Sequence, residues 1–139
     1  VYLLVFSYFF GEFILPKYNL PYFFNLLGLV GLITSLIFFF SGFNLFSSYK
    51  EDPRPKTGTQ RLIKTGIFAY TRNPIYLSFV LFHFSMFLTF ENVVYFICSL
   101  GLFFWINNAI IPAEEKYLKE KFGNEFNRYC ETVKKWIFF

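Results

Sequence analysis

Four residues within five positions, Arg72, Asn73, Pro74 and Tyr76, and two adjacent carboxylates, Glu114 and Glu115, hold most of the chemistry in this chain. Asparagine before proline is a helix-start signal. Asn73 takes the cap position and Pro74 the first helical one, where a missing N–H leaves nothing unpaired. Such a start turns free N–H groups and a positive dipole end toward an anion. Arg72 adds a charge-assisted donor, and Tyr76 stacks or hydrogen-bonds one turn later. Glu114 and Glu115 are acceptors, or else the acidic first turn of a helix, where the dipole favours them. Arg72 and Tyr76 have a plainer alternative as the cation and aromatic that gather at the ends of membrane spans. His83, the only histidine, lies seven residues after Tyr76 and shares its helix face. It is a catalytic base or a neutral, hydrogen-bonded histidine inside an apolar helix. Asn107 and Asn108 precede Glu114 and Glu115 by seven each, so they extend a polar site inward or tie helices together. The catalytic candidates are Arg72, His83 and Glu115, with no role fixed among them.

Several chemistries are excluded or disfavoured. No G-x-G-x-x-G and no P-loop is present, so a soluble dinucleotide- or nucleotide-binding fold is not encoded. Cys98 and Cys130 have no Cys or His nearby at metal-ligand spacing, which predicts free thiols and no metal site. The net charge is +4, but its distribution argues against nucleic acid as a partner. Of 13 Lys and Arg, six fall in residues 50–72 and six in residues 116–135, leaving Lys17 alone elsewhere. That is the pattern of a membrane protein with two cytoplasmic segments.

The elements that must position these residues are apolar helices. Mean hydropathy is +0.44. Hydrophobic residues make up 55% of the chain, and 24 of its 139 residues are Phe, more than a soluble domain of this size can hide. Residues 1–10 form a short or truncated first span, below the roughly 20 residues that cross a bilayer. Residues 16–21 connect it to the clearest span, residues 22–46, where Gly28, Gly31, Ser35 and Gly42 allow close helix approach. Residues 47–71 are a basic loop with turn signals at Asp52, Pro53, Arg54 and Pro55 and at Thr57, Gly58 and Thr59, and with a short interfacial piece at 61–65. Residues 74–89 make a helix of about 24 Å, Phe90, Glu91 and Asn92 a turn, and residues 93–111 a returning helix. Pro112 is expected to break or kink the helix at that point. Gly123 stops the next helix and Asn124 caps another. There Phe122, Phe126, Tyr129, Val133 and Trp136 recur on one face, which lies at the membrane surface or packs onto the spans. The expected fold is an all-α integral membrane protein of about four transmembrane helices, with a helical hairpin and a C-terminal amphipathic cytoplasmic helix. It forms one domain over residues 1–139 with both termini cytoplasmic, in a bacterial inner membrane or the endoplasmic reticulum.

Arg72, Pro74, Tyr76, Glu114, Glu115, Leu118, Phe122, Gly123 and Tyr129 fall on a known pattern: R-H-P-x-Y-x-G, a hydrophobic hairpin, E-E, then a leucine, F-G and spaced tyrosines. On these residues the chain resembles the isoprenylcysteine carboxyl methyltransferase family and its bacterial relatives, whose C-terminal region is shared with phospholipid methyltransferases. The resemblance covers residues 58–137. Asn73 stands for the histidine, Ser78 for the glycine and Phe126 for the first tyrosine. The resemblance implies S-adenosylmethionine as cofactor, with Arg72, Asn73, Pro74, Tyr76, Glu114, Glu115 and Tyr129 as its binding residues. It implies an apolar or lipid-linked methyl acceptor, reached from the bilayer. Membrane sterol reductases share the first motif but have E-W in place of E-E, so an oxidoreductase is the alternative, beside a non-catalytic protein that retains the fold.

Overall fold

The computed structural model describes residues 1–13, 19–51 and 60–138, without the side chain of residue 12. The turn signals at residues 52–59 and the first half of the 16–21 connection lie outside the described residues. Among the described residues six α-helices occur in order: α1 Tyr2–Phe13, α2 Tyr22–Ser48, α3 Pro74–Phe90, α4 Val93–Trp105, α5 Ile111–Phe122 and α6 Asn124–Thr132. A 3-10 turn at Gly66–Ala69 precedes α3, and a π-helical turn at Ile106–Ile110 joins α4 to α5. No strand occurs among the described residues. Among the described residues two helical runs are long and apolar enough to cross a membrane, Tyr22–Ser48 and Val93–Phe122, while Tyr2–Gly11 and Pro74–Phe90 are apolar but shorter.

The expected break at Pro112 is corrected. Pro112 sits in the first turn of α5, and the helical run continues through it. A proline removes one N–H and crowds the carbonyl four residues back. The π turn immediately before it widens the coil, with the Ile111 N–H reaching the Ile106 carbonyl five residues back. The extra residue also offsets the seven-residue register between the asparagines and the glutamates. The expected interfacial piece at 61–65 is replaced by the 3-10 turn a few residues later. Asn124 is the first helical residue of α6 rather than its cap, a position taken by Gly123 with φ +52°.

The helices contribute to two compact units. The first comprises Val1–Ile37 and Ser78–Phe104, the second Phe38–Leu77 and Trp105–Phe139. In the first unit small residues let α2 approach α3. A Cβ on Gly28 would come within 2.7 Å of the Thr89 backbone nitrogen and 2.9 Å of the Ser85 carbonyl, and one on Gly31 would strike the Ser85 hydroxyl. Single polar bonds pin the rest. Asn25 Nδ2 donates to the Leu88 and Thr89 carbonyls and to Glu91 Oε1, closing the end of α3. Glu91 turns the chain at φ +58°. Asn92 Oδ1 then accepts the Val94 N–H at 3.0 Å, capping α4, while its Nδ2 donates to the Ser7 carbonyl of α1. Ser99 Oγ donates to the Val80 carbonyl at 3.0 Å.

The second unit has an apolar centre. Phe126, Tyr129 and Val133 cluster with Leu62, Leu118, Phe122 and Cys130. The apolar face of α6 is therefore packed inward within this unit. Of the membrane surface and the spans offered for that face, it meets neither α2 nor α3 but Leu62 and the α5 residues Leu118 and Phe122.

Candidate functional site

The start of α3 is held by the chain's last residues. The Arg72 N–H donates to the Lys134 carbonyl at 3.0 Å. Thr71 Oγ and Asn73 Nδ2 both donate to the Lys135 carbonyl, at 3.1 and 3.0 Å. The Asn73 carbonyl accepts the first helical bond of α3, from Leu77, which confirms Asn73 at the cap position. Pro74 behind it is fully buried.

Arg72 is the hub. One guanidinium nitrogen, Nη1, donates to the Val133 carbonyl at 2.7 Å and the Cys130 carbonyl at 3.3 Å, at the end of α6, where a cation suits the helix dipole. The other, Nη2, pairs with Glu115 Oε1 at 2.7 Å. The buried Nε has no partner among the described residues. One turn along α3, the Tyr76 hydroxyl donates to Glu114 Oε2 at 3.0 Å. Arg72, just before α3, and Tyr76, in its first turn, thus meet the adjacent glutamates of α5, each to each. Phe46, Phe68, Arg72, Asn73, Pro74, Ile75, Tyr76 and Glu114 line a cavity of about 40 Å³ beside these bonds. Phe46 and Phe68 meet edge to face, with ring centroids 5.5 Å apart.

Against this geometry, the chain matches the phospholipid methyltransferase family over residues 23–125. The chain belongs to that family. The matched span holds every candidate site residue except Tyr129, and the family resemblance of the two motifs is borne out. An uncharacterized protein of Haemophilus influenzae is 47% identical over 32 residues, which are 23% of this chain and 51% of that protein. The chain thus spans about half the length of that curated relative. No solved structure matches the chain.

Within this family member, the sequence candidates divide. Arg72, Asn73, Pro74, Tyr76, Glu114 and Glu115 converge on one locus. Tyr129 is close in the fold but committed elsewhere: its hydroxyl donates to the Phe68 carbonyl at 2.7 Å. Burial pushes its phenol above the ordinary tyrosine range, against the opposing pull of Arg72. It steadies the Phe68 wall. His83 belongs to the other unit. Its Nδ1 donates to the Phe79 carbonyl at 2.9 Å, and its buried Nε2 has no partner among the described residues. Asn107 accepts the Trp136 indole N–H at 3.1 Å and donates to Asn108, rather than turning to the glutamates.

The structure adds residues that the pattern did not mark. Thr71, Phe46 and Phe68 shape the locus, and the carbonyls of Cys130, Val133, Lys134 and Lys135 hold it. Thr71 had a weak signal, a small polar residue beside the arginine. The carbonyls had none.

Proposed function

We propose that the chain is a membrane-embedded, S-adenosylmethionine-dependent methyltransferase acting on an apolar or lipid-linked acceptor. The observation that carries this is the pairing of Arg72 with Glu115 and Tyr76 with Glu114 at a proline-started helix, in a member of the phospholipid methyltransferase family. The residues suit the cofactor. The unpartnered Arg72 Nε and the N–H groups at the α3 start suit its carboxylate. Glu114 and Glu115 suit its ammonium and ribose hydroxyls. The space is small for it, about 40 Å³. Binding therefore requires a wall to move, and the Arg72/Glu115 and Tyr76/Glu114 bonds to open or re-form around the ligand.

When bound, the cofactor supplies an electrophilic methyl group on sulfonium. What this chain supplies is orientation and exclusion of water, which suffice for displacement by a well-placed nucleophile. Arg72 and Glu115 fix one end of the ligand, Tyr76 and Glu114 another, and the Phe46 and Phe68 rings keep water out.

Four apolar helical segments, α1, α2, α3 and the run from α4 into α5, associate with the bilayer. The two units are read as parts of one domain, and residues 58–137 as its cofactor-binding region. Both termini are placed in the cytoplasm, because the basic residues cluster on the segments this topology puts inside. Impermeant labelling of cysteines introduced at Lys64 and Glu91 should then report opposite sides.

The deciding experiment is calorimetric titration of purified protein in detergent with S-adenosylmethionine, and then methyl transfer to a long-chain acceptor and to its short, soluble analogue. Saturable binding and a higher kcat/KM for the long-chain acceptor are expected. Absence of binding points to a non-catalytic protein, and preference for NADPH points to the reductase alternative.

A further inference from the structure

Besides Phe40 and Phe43 on α2 and Trp105 on α4, the second unit exposes large apolar residues just before α3 and after α6. Tyr70 is 73% exposed, Ile137 38% and Phe138 87%. These residues flank one feature. The segment before α3 and the segment after α6 are laced by the bonds of Arg72 to Lys134 and of Thr71 and Asn73 to Lys135. Tyr70 enters the lace, and Ile137 and Phe138 leave it. Lys134 and Lys135 lie within it, Lys134 exposed and Lys135 half-buried. The result is a small edge with apolar rings and cations side by side.

Three aspects identify what covers it. First, an exposed aromatic and aliphatic group beside lysines is the composition of a bilayer's headgroup layer, where rings sit at the interface and ammonium groups reach phosphates. Second, a second copy of this chain is disfavoured, because a two-fold contact through this edge brings like lysines together. Third, neither signal suffices alone. Lasting attachment at a membrane surface takes an apolar insertion and a basic patch together, and both are present. The amphipathic face of α6 is not the anchor, being already packed inward; the anchor is the edge beside it.

We propose that Tyr70, Ile137 and Phe138, with Lys134 and Lys135, form an interfacial docking edge that sits in the headgroup layer of a bilayer containing anionic phospholipid. The edge is independent of which acceptor is methylated, and it rests only on the reading that the apolar helices enter a membrane. Its bonds to Thr71, Arg72 and Asn73 tie it directly to the candidate site. The lipid surface thereby meets the segment that holds Arg72.

The test uses the full chain in bilayers of phosphatidylcholine alone and of phosphatidylcholine with one-third phosphatidylglycerol, each made with lipids brominated near the headgroup or near the chain end. Trp105, 60% exposed on α4, is an internal control. If the spans insert, bromine in the chains quenches it, and if it stays bright the membrane reading itself fails. In a W105F background the F138W indole then reports the edge, since Trp136 is buried. The expected result is quenching by headgroup-proximal bromine, stronger with anionic lipid, and loss of that increment in K134Q/K135Q. Each lysine contributes about five-fold to partitioning at an anionic surface. Quenching by aqueous iodide instead of bromine overturns the proposal. So does equal bromine quenching in both lipid mixtures, and so does protection from both quenchers, which signals a protein partner.

Discussion

The two units of this molecule are built on opposite rules. Among the described residues, the first buries Ser7, Ser35, Ser78, His83, Ser85, Asn92 and Ser99, but only Val94 and Tyr95 among its apolar residues. The second buries Ile63, Phe68, Ile106, Ile111, Phe126, Tyr129, Val133 and Trp136, and only Thr71 and Asn73 among its polar ones. The first therefore turns Phe, Leu, Ile and Val outward and holds its helices by small residues and single hydrogen bonds. In water that arrangement forfeits the hydrophobic effect. In lipid it is the expected one, because tails outside are as apolar as leucine, and close packing and polar bonds must drive association. The second unit has a packed aromatic cluster inside and most of its lysines outside, although Phe40, Phe43 and Trp105 within it are exposed too. The polar bonds of the α3 start belong to this second unit.

The largest break in this comparison is a matched pair of truncations. Phe126 is 4% exposed in the second unit and Phe104 57% exposed in the first. Phe126→Ala should cost about 3–5 kcal/mol, the usual cost of emptying a packed aromatic site. Phe104→Ala should stay within about 0.5 kcal/mol in detergent. Reversible unfolding monitored by tryptophan fluorescence reads both. Similar losses at the two positions contradict the opposite construction of the units.

Next in size is the site itself. Glu115→Ala removes the partner of Arg72 Nη2 and, on the proposed function, one acceptor for the cofactor. A bond to a charged group contributes about 1.5–3 kcal/mol, so S-adenosylmethionine affinity should fall about 10- to 100-fold by calorimetry. Arg72→Ala is a poor companion variant. The guanidinium also holds the Cys130 and Val133 carbonyls, so its loss frees the end of α6 as well. Arg72→Lys keeps the charge but not the fork. It should retain the fold by circular dichroism and weaken cofactor binding. Wild-type affinity in both Glu115→Ala and Arg72→Lys moves the site elsewhere.

Smaller again is the helix seam of the first unit. Gly28→Ala meets Thr89 and Ser85 backbone atoms and should lose about 1–3 kcal/mol through forced separation of α2 and α3. Gly101→Ala, on α4 with nothing within 4 Å of the new methyl, should be neutral or slightly stabilising. If the two behave alike, α2 and α3 are not in close contact in the membrane-embedded protein.

The contrast also accounts for what could be read from the sequence. The helical hairpin and the α3 start were legible because their signals are residue types with fixed physical meaning: an uncharged run, a proline, a capping asparagine. The paired glutamates stood out through the two-motif resemblance, which puts E-E after the hydrophobic hairpin. The direction of the α6 face was not, because a 3.6-residue period reports that a face is apolar without naming what it meets. Pro112 looked like a break because the rule for proline is written for α geometry, and the π turn escapes it by vacating the crowded carbonyl. The lace at Arg72 left no trace because its acceptors at Val133, Lys134 and Lys135 are backbone carbonyls, which every residue carries. Tyr129 matched a binding pattern, but its hydroxyl had a closer carbonyl at Phe68.

The smallest expected effect uses the two native thiols, one in each unit. Both are free. Cys98 lies on α4, with its Sγ 3.2 Å from Ser7 Oγ in the first unit. Cys130 lies half-buried on α6 in the second, where burial raises its thiol above the ordinary range while Arg72 pulls it down and Glu115 pushes it up. Alkylation needs the thiolate. A raised pKa leaves less thiolate at pH 8, so Cys130 should react a few-fold more slowly than glutathione with a charged maleimide. Its rate should keep rising with pH where that of the free thiol levels off. Cys98 should not react with the charged reagent in bilayers at any of these pH values, yet should react with an apolar maleimide that partitions into lipid. Mass spectrometry of the two peptides separates the sites. Equal labelling of both thiols by the charged reagent would put the first unit in water and undo the contrast between the units. A Cys130 rate that levels off with glutathione would show that Arg72, not burial, governs the end of α6.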